Sequence, residues 1–157
     1  MRAHIVLLTL ALVSCRSTGQ PPTAPLPRED NRGLTRQMVA QLERAARDWN
    51  RGDLDAFLSD YAPESTTTFI DGRRARHGFD FIRDNYARWF APNARRDSLH
   101  FEEVEARSLS PTLALVTARY ILQRGGTVSG SGPFTLVMER RTEGWKILHD
   151  HSSSDPR

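Results

Sequence analysis

Three stretches of helical period precede a nearly unbroken run of strand-like segments, and that order restricts the chain more than any other feature. Leu34, Met38, Leu42, Ala45, Ala46 and Trp49 recur on one stripe at helical spacing, and Gly52 supplies a stop. Asp53 is placed to cap a second, short helix whose Leu54, Phe57, Leu58 and Tyr61 share a face, and Pro63 ends it. Residues 65–70 (STTTFI) are β-branched and aromatic and run into Asp71-Gly72, a hairpin signal. Ile82, Tyr86, Trp89 and Phe90 mark a third helix, closed by Pro92. Residues 98–109, 112–123, 127–141 and 145–152 then read as strands, separated by Ser110-Pro111, Gly125-Gly126 and Glu143-Gly144. Helices first and antiparallel strands afterwards predict an α+β fold rather than alternating βαβ units.

The N-terminus reads differently. Arg2 and His4 open the chain, residues 5–13 (IVLLTLALV) are apolar, and Ser14 is small, the order of a secretory signal. The apolar run falls well short of the roughly 20 residues that span a bilayer. Leu12-Val13-Ser14-Cys15 resembles a bacterial lipobox, which implies lipidation of Cys15 as the first mature residue. Arg16 stands where an aspartate would suggest retention in an inner membrane, so the expected address is the cell envelope, at an outer membrane facing the periplasm. Residues 16–32 carry four prolines and few apolar side chains and read as a tether. The expected organisation is a signal over 1–15, a tether over 16–32 and one domain over 33–157.

Composition closes off some classes of function. Twenty-two basic residues against 19 acidic leave a formal charge of +3, too small an excess for a nucleic-acid-binding face. Cys15 is the single cysteine, so no internal disulfide is available. His77 and His100 lie in segments unrelated to His149-x-His151, and no clustered carboxylates accompany them, so neither a metal nor another cofactor is expected.

Residues 50–55 (NRGDLD), with Phe57, Tyr61 and Asp71-Gly72 after them, resemble the opening of the nuclear transport factor 2-like superfamily. Residues 144–153 (GWKILHDHSS) resemble the closing strand of its SnoaL-like branch. They are also similar to the ending of the calmodulin-dependent kinase association domain. The resemblance implies a cone: a curved antiparallel sheet wrapped around three N-terminal helices, with a pocket at the open end and often a homodimer. Members include enzymes and binding modules, so the fold leaves function open. Matched to ketosteroid isomerase, that enzyme's tyrosine falls on Ala45 and its base at about Phe69, and residues 127–134 contain no acid. The pocket arginine of the kinase association domain falls on Leu136.

The candidate site therefore rests on local readings. Strict alternation along the last strand puts Trp145, Ile147, His149 and His151 on one face, expected to point into the cone. Trp49, Tyr61, Tyr86 and Trp89 sit at core spacing, which in a cone also means the pocket wall, and Arg119, mid-strand, either faces an anionic ligand or snorkels from the sheet edge. The leading expectation is a lipid-anchored, non-catalytic module binding a small, partly apolar molecule or assembling as a dimer. The rival is a SnoaL-like enzyme of isomerase, cyclase or hydrolase type, with His149 or His151 as acid or base.

Overall fold

Helix α1 (Arg28–Arg51) turns Leu34, Met38, Leu42, Ala45, Ala46 and Trp49 into the core, the stripe that the sequence marks. The computed structural model describes residues 28–71 and 74–156; the signal segment, Cys15 and the Pro-rich residues up to 27 lie outside the described residues. Because α1 begins at Arg28, residues 28–32 belong to the domain and not to the tether. Asn31 shows why: its Oδ1 accepts the Ser108 N–H at 3.0 Å and pins the first turns of the helix to the sheet.

At its other end α1 closes in a Schellman motif. Gly52 takes φ 82°, its N–H donates to Trp49 O, and the Asp53 N–H donates to Asp48 O, both at 3.0 Å. Asp53 then caps α2 (Leu54–Leu58), its carboxylate accepting the Ala56 N–H at 3.0 Å. Helix α3 (Phe79–Phe90) buries Ile82 and packs Tyr86 and Phe90 against the same core.

The strands form one six-stranded sheet: β1 (Thr68–Ile70), β2 (Ala75–His77), β3 (Ser98–Ser108), β4 (Leu113–Arg124), β5 (Thr127–Arg141) and β6 (Gly144–Ser152), in the order β2-β1-β6-β5-β4-β3. β3 to β6 make the antiparallel meander announced by their turns. The sheet is not antiparallel throughout, because β1 runs parallel to β6. That exception begins just after α2, where the chain lies down along β6 in the same direction. Ile147 N–H donates to Asp60 O at 2.7 Å, and Ala62 N–H donates to Ile147 O at 3.0 Å. The core fills the concave face, where Ala114, Val116 and Ala118 of β4 and Phe134, Leu136 and Met138 of β5 are buried at every second position. Three irregularities bend the sheet: one on β3 between Glu102 and Glu105, with Glu103 at φ 53°, one on β5 at Ser129, opposite Leu122 and Gln123, and one on β6 opposite Val137 and Met138.

β3 is an edge strand, and an exposed edge invites pairing with other chains. Here side chains of α1 take the place of a neighbouring strand. Asn50 Oδ1 accepts the Leu99 N–H at 2.8 Å while its Nδ2 donates to Leu99 O at 2.9 Å. Thr35 Oγ1 accepts the Ala106 N–H at 3.0 Å, and Asn31 holds Ser108. Removing such a partner leaves backbone groups unsatisfied at about 1–3 kcal/mol each when buried. Asn50→Ala, which abandons two groups of Leu99, is expected to lower the urea midpoint more than Asn31→Ala. Asn31→Ala is itself expected to destabilise by about 1 kcal/mol. A parent-like midpoint for Asn31→Ala would return residues 28–32 to the tether.

Candidate functional site

The open end of the cone is a cavity of about 820 Å³ between the helices and the concave face of the sheet. Its walls are mostly aromatic and aliphatic. Phe57 packs edge-on against Trp49 and Tyr86, with centroids 5.4 and 5.1 Å apart, and Phe69 meets Tyr86 at 5.7 Å. Tyr86 is thus gripped by rings on several sides, which fixes where its hydroxyl points. Trp49 is also locked, its Nε1 donating to Asp97 O at 2.9 Å. Trp89, 42 % exposed, stands at the mouth with the Arg88 guanidinium 5.5 Å above its ring.

A buried polar cluster interrupts the apolar wall. Tyr61 OH donates to Asp150 Oδ2 at 2.6 Å, and Ser152 Oγ donates to Asp150 Oδ1 at 3.0 Å. The Tyr86 hydroxyl lies 3.4 Å from that of Tyr61. The Tyr61 contact is as short as bonds to an ionised carboxylate are. Three elements build the cluster: the parallel segment after α2 carries Tyr61, α3 carries Tyr86, and β6 carries Asp150 and Ser152.

Asp150 is buried, and among the described residues no Lys or Arg pairs with it. Burial pushes its carboxyl up to about 6, against the bonds from Tyr61 and Ser152 and the charge of nearby His151, which favour ionisation. The same burial, with Asp150 beside them, drives the Tyr61 and Tyr86 hydroxyls well above their ordinary values, so both stay protonated. A second carboxylate, Asp60, also reaches the cavity wall, but Arg44 pairs with it. Burial still raises it.

Four of the residues singled out from the sequence, Trp49, Tyr61, Tyr86 and Trp89, come together on this wall. The two histidines do not. β6 holds one residue more than β5 between the pairs Ile147–Met138 and His149–Val137, so Leu148 sits in a bulge and the alternation changes phase there. Ile147 points inward as expected, and then Asp150 and Ser152 take the inward positions. Asp150 pairs with Leu136, and Ser152 with Phe134, both inner-face residues. His149 and His151 pair with Val137 and Thr135 on the convex face, with ring centroids 6.5 Å apart. Partial burial, and then the charge of His151, lower the His149 imidazole from its usual value. Arg119 likewise points away from the cavity: it lies between the inward Ala118 and Tyr120, and its guanidinium pairs with Asp155. Leu136 lies on the cavity floor, where the kinase association domain resemblance put an arginine.

Among the described residues no group of three or more His, Cys, Asp or Glu side chains is arranged to hold a metal ion. Asp150 escaped the sequence reading because strict alternation assigned it outward, and a one-residue bulge has no reliable signature in a single sequence.

Residues 38–156 match the model of the SnoaL-like domain. The chain belongs to the SnoaL-like family. Among solved structures it is similar to an NTF-2-like protein of unknown function from Shewanella oneidensis MR-1, with 32 % identity over 76 % of this chain and 98 % of that one, at a TM-score of 0.67. A cystatin-like-fold protein of unknown function from Nostoc punctiforme shares the fold at 13 % identity, covering 79 % of this chain and 91 % of that one, with a TM-score of 0.63. So does a Xanthomonas campestris protein described as a calcium/calmodulin-dependent protein kinase II association domain, at 18 % identity over 78 % and 88 % and a TM-score of 0.60. No curated protein matches the chain.

The raised carboxyl of Asp150 has a signed consequence. Its unfolded value is near 3.8 and its folded value about 6, so the folded state binds this proton more tightly. The group favours the folded state below about pH 4, and that benefit is lost as pH rises through 6, an effect on the order of 3 kcal/mol at most. Asp150→Asn, neutral and of the same shape, is expected to be more stable than the parent at about pH 8 and to lose that advantage by about pH 4. Urea denaturation across this range checks it; a constant difference between the two proteins would place Asp150 in a solvated setting.

Proposed function

We propose that this is a lipid-anchored envelope protein whose pocket binds a small, largely apolar molecule carrying one hydroxyl or carbonyl group. The observation that carries the reading is the form of the cavity, largely apolar walls that hold the buried Tyr61–Tyr86–Asp150 cluster. Each Å² of apolar ligand surface removed from water contributes about 25 cal/mol, so an apolar wall favours an apolar ligand. A polar group on such a ligand must meet a partner inside or lose about 1–3 kcal/mol. Tyr61, Tyr86 and Asp150 offer such a partner on the cavity wall, and no ion pair holds them.

The anchor reading rests on residues 12–15 and their place after an apolar run. Even fully extended, at about 3.3–3.6 Å per residue, the stretch between Cys15 and α1 reaches only about 40 Å. An anchored pocket would therefore stay within reach of ligands leaving or entering a membrane.

A second reading, acid–base turnover of the same ligand, is favoured by one observation: a cavity carboxyl pushed up to about 6. It moves the candidate acid or base from His149 and His151 to Asp150.

The full-length chain expressed in a bacterium is expected to incorporate labelled fatty acid, and Cys15→Ser to incorporate none. Native mass spectrometry of the detergent-extracted protein is expected to show a retained small molecule. Leu122→Trp, which extends a cavity-wall side chain into the space, is expected to exclude it while leaving the fold intact. Equal labelling of Cys15→Ser would remove the anchor, and equal retention by Leu122→Trp would remove the pocket. The same spectra read whether the protein is the homodimer that the family resemblance implies.

A further inference from the structure

The Tyr86, Tyr61, Asp150 and Ser152 side chains on the cavity wall form one chain of hydrogen bonds, and that chain has a direction. Ser152 Oγ and Tyr61 OH converge on the two oxygens of Asp150, and the Tyr86 hydroxyl ends the chain on the cavity side, 3.4 Å from Tyr61. While Asp150 is ionised it only accepts, so the Tyr61 proton is committed to Oδ2. The Tyr61 oxygen then draws on the Tyr86 proton, and Tyr86 presents lone pairs to the cavity. When Asp150 carries a proton, Oδ2–H donates to the Tyr61 oxygen, Tyr61 turns its proton to Tyr86, and Tyr86 presents its O–H to the cavity. No heavy atom moves, because a hydroxyl proton rotates to suit its partner.

We propose that this chain selects the ligand by hydrogen-bond role, so that a carbonyl ligand is bound together with one proton on Asp150 whereas a hydroxyl ligand does not require it. The inference rests on the pocket reading above and names the ligand chemistry that the pocket distinguishes.

The surroundings of Asp150 reinforce the coupling. Phe69 of β1 and Leu136 of β5 flank it in register, and both are apolar. Tyr61 and Tyr86 face it from the helical side, and Ser152 and His151 adjoin it on its own strand. The other charges lining the cavity are Asp60, held by Arg44, Asp97, held by Arg124, and Asp71 and Arg88 toward the mouth. None of these hydrogen-bonds to Asp150, and among the described residues no Lys or Arg pairs with its carboxylate. Asp150 lines the cavity, so a ligand that fills the cavity dehydrates the surroundings of its carboxyl further. Dehydration and the acceptor role of a carbonyl therefore act in the same direction, toward protonation. Burial has already brought the carboxyl up to about 6, so the uptake falls within an accessible range.

The test uses three probes of one carbon skeleton: a naphthyl methyl ketone, the corresponding secondary alcohol, and ethylnaphthalene. Calorimetry of the intact protein, repeated at about pH 7 in two buffers of different ionisation enthalpy, reads the protons taken up. The ketone is expected to bind about tenfold more weakly at pH 8 than at pH 5 and to take up a proton near pH 7. The alcohol, which can donate or accept, is expected to hold its affinity across the range and to take up fewer protons than the ketone. Asp150→Asn is expected to bind the ketone with no pH dependence, since its amide donates as the protonated acid does. Tyr86→Phe is expected to bind the ketone no better than ethylnaphthalene.

If the three probes bind with equal pH dependence and equal proton uptake, the directional chain is overturned and the pocket reading stands. If ethylnaphthalene and the ketone both fail to bind at any pH, the pocket reading falls and takes this inference with it.

Discussion

Leu148 adds one residue to β6 where β5 passes directly from Val137 to Met138, and the polar chemistry of the cavity depends on that insertion. Without it the inward positions after Ile147 would be His149 and His151. With it they are Asp150 and Ser152, and the imidazoles stand on the convex face. A strand alternates with period two, so a single extra residue exchanges every side chain beyond it between core and solvent. The rest of the sheet fixes which outcome is compatible with packing. Leu136 and Phe134 of β5 point inward, and the residues opposite them must share that face.

The cavity exists because the sheet is curved and one edge is sealed. Irregularities on β3 and β6 bend the strands, and α1 runs along β3 with Asn31, Thr35 and Asn50 bonding to its outer backbone groups. That pairing is made by side chains, which leaves the helix free to turn its apolar stripe into the cone. The parallel strip from Asp60 to Ala62 closes the other flank of β6 and carries Tyr61 to within 2.6 Å of Asp150. Fold and site are therefore joined at the level of backbone pairing. The same bonds that complete the sheet deliver the hydroxyl to the carboxylate.

Relatives of this fold share the cone without sharing a function that their descriptions state, since two of the similar solved structures are of unknown function. In this chain the apolar wall is a property of the cone, whereas the Tyr86–Tyr61–Asp150 cluster is a property of particular side chains at particular depths. The ending GWKILHDHSS illustrates the difference. Its likeness to the kinase association domain is carried by the tryptophan, the two histidines and a serine, yet it brings the aspartate between the histidines, and neither histidine, to the cavity wall.

Much of the architecture was legible in the order of residues. The Leu34 to Trp49 stripe, the Asp53 cap and the four long strands with their turns follow from local periods and turn chemistry, because each needs only neighbours in the chain. So does the aromatic wall, since residues spaced for a helical core face are also the inner face of a cone. The start of α1 was not legible, because Asn31 is held there by a contact with Ser108 far along the chain. The parallel seat of β1 and the phase of β6 were hidden for the same reason. By itself the sequence determined which segments form helices and strands and which faces are apolar, for these are short-range matters of propensity and period. Only the tertiary structure decided that Asp150 and not His149 enters the cavity, because strand phase past a bulge is set by the packing of the neighbouring strand.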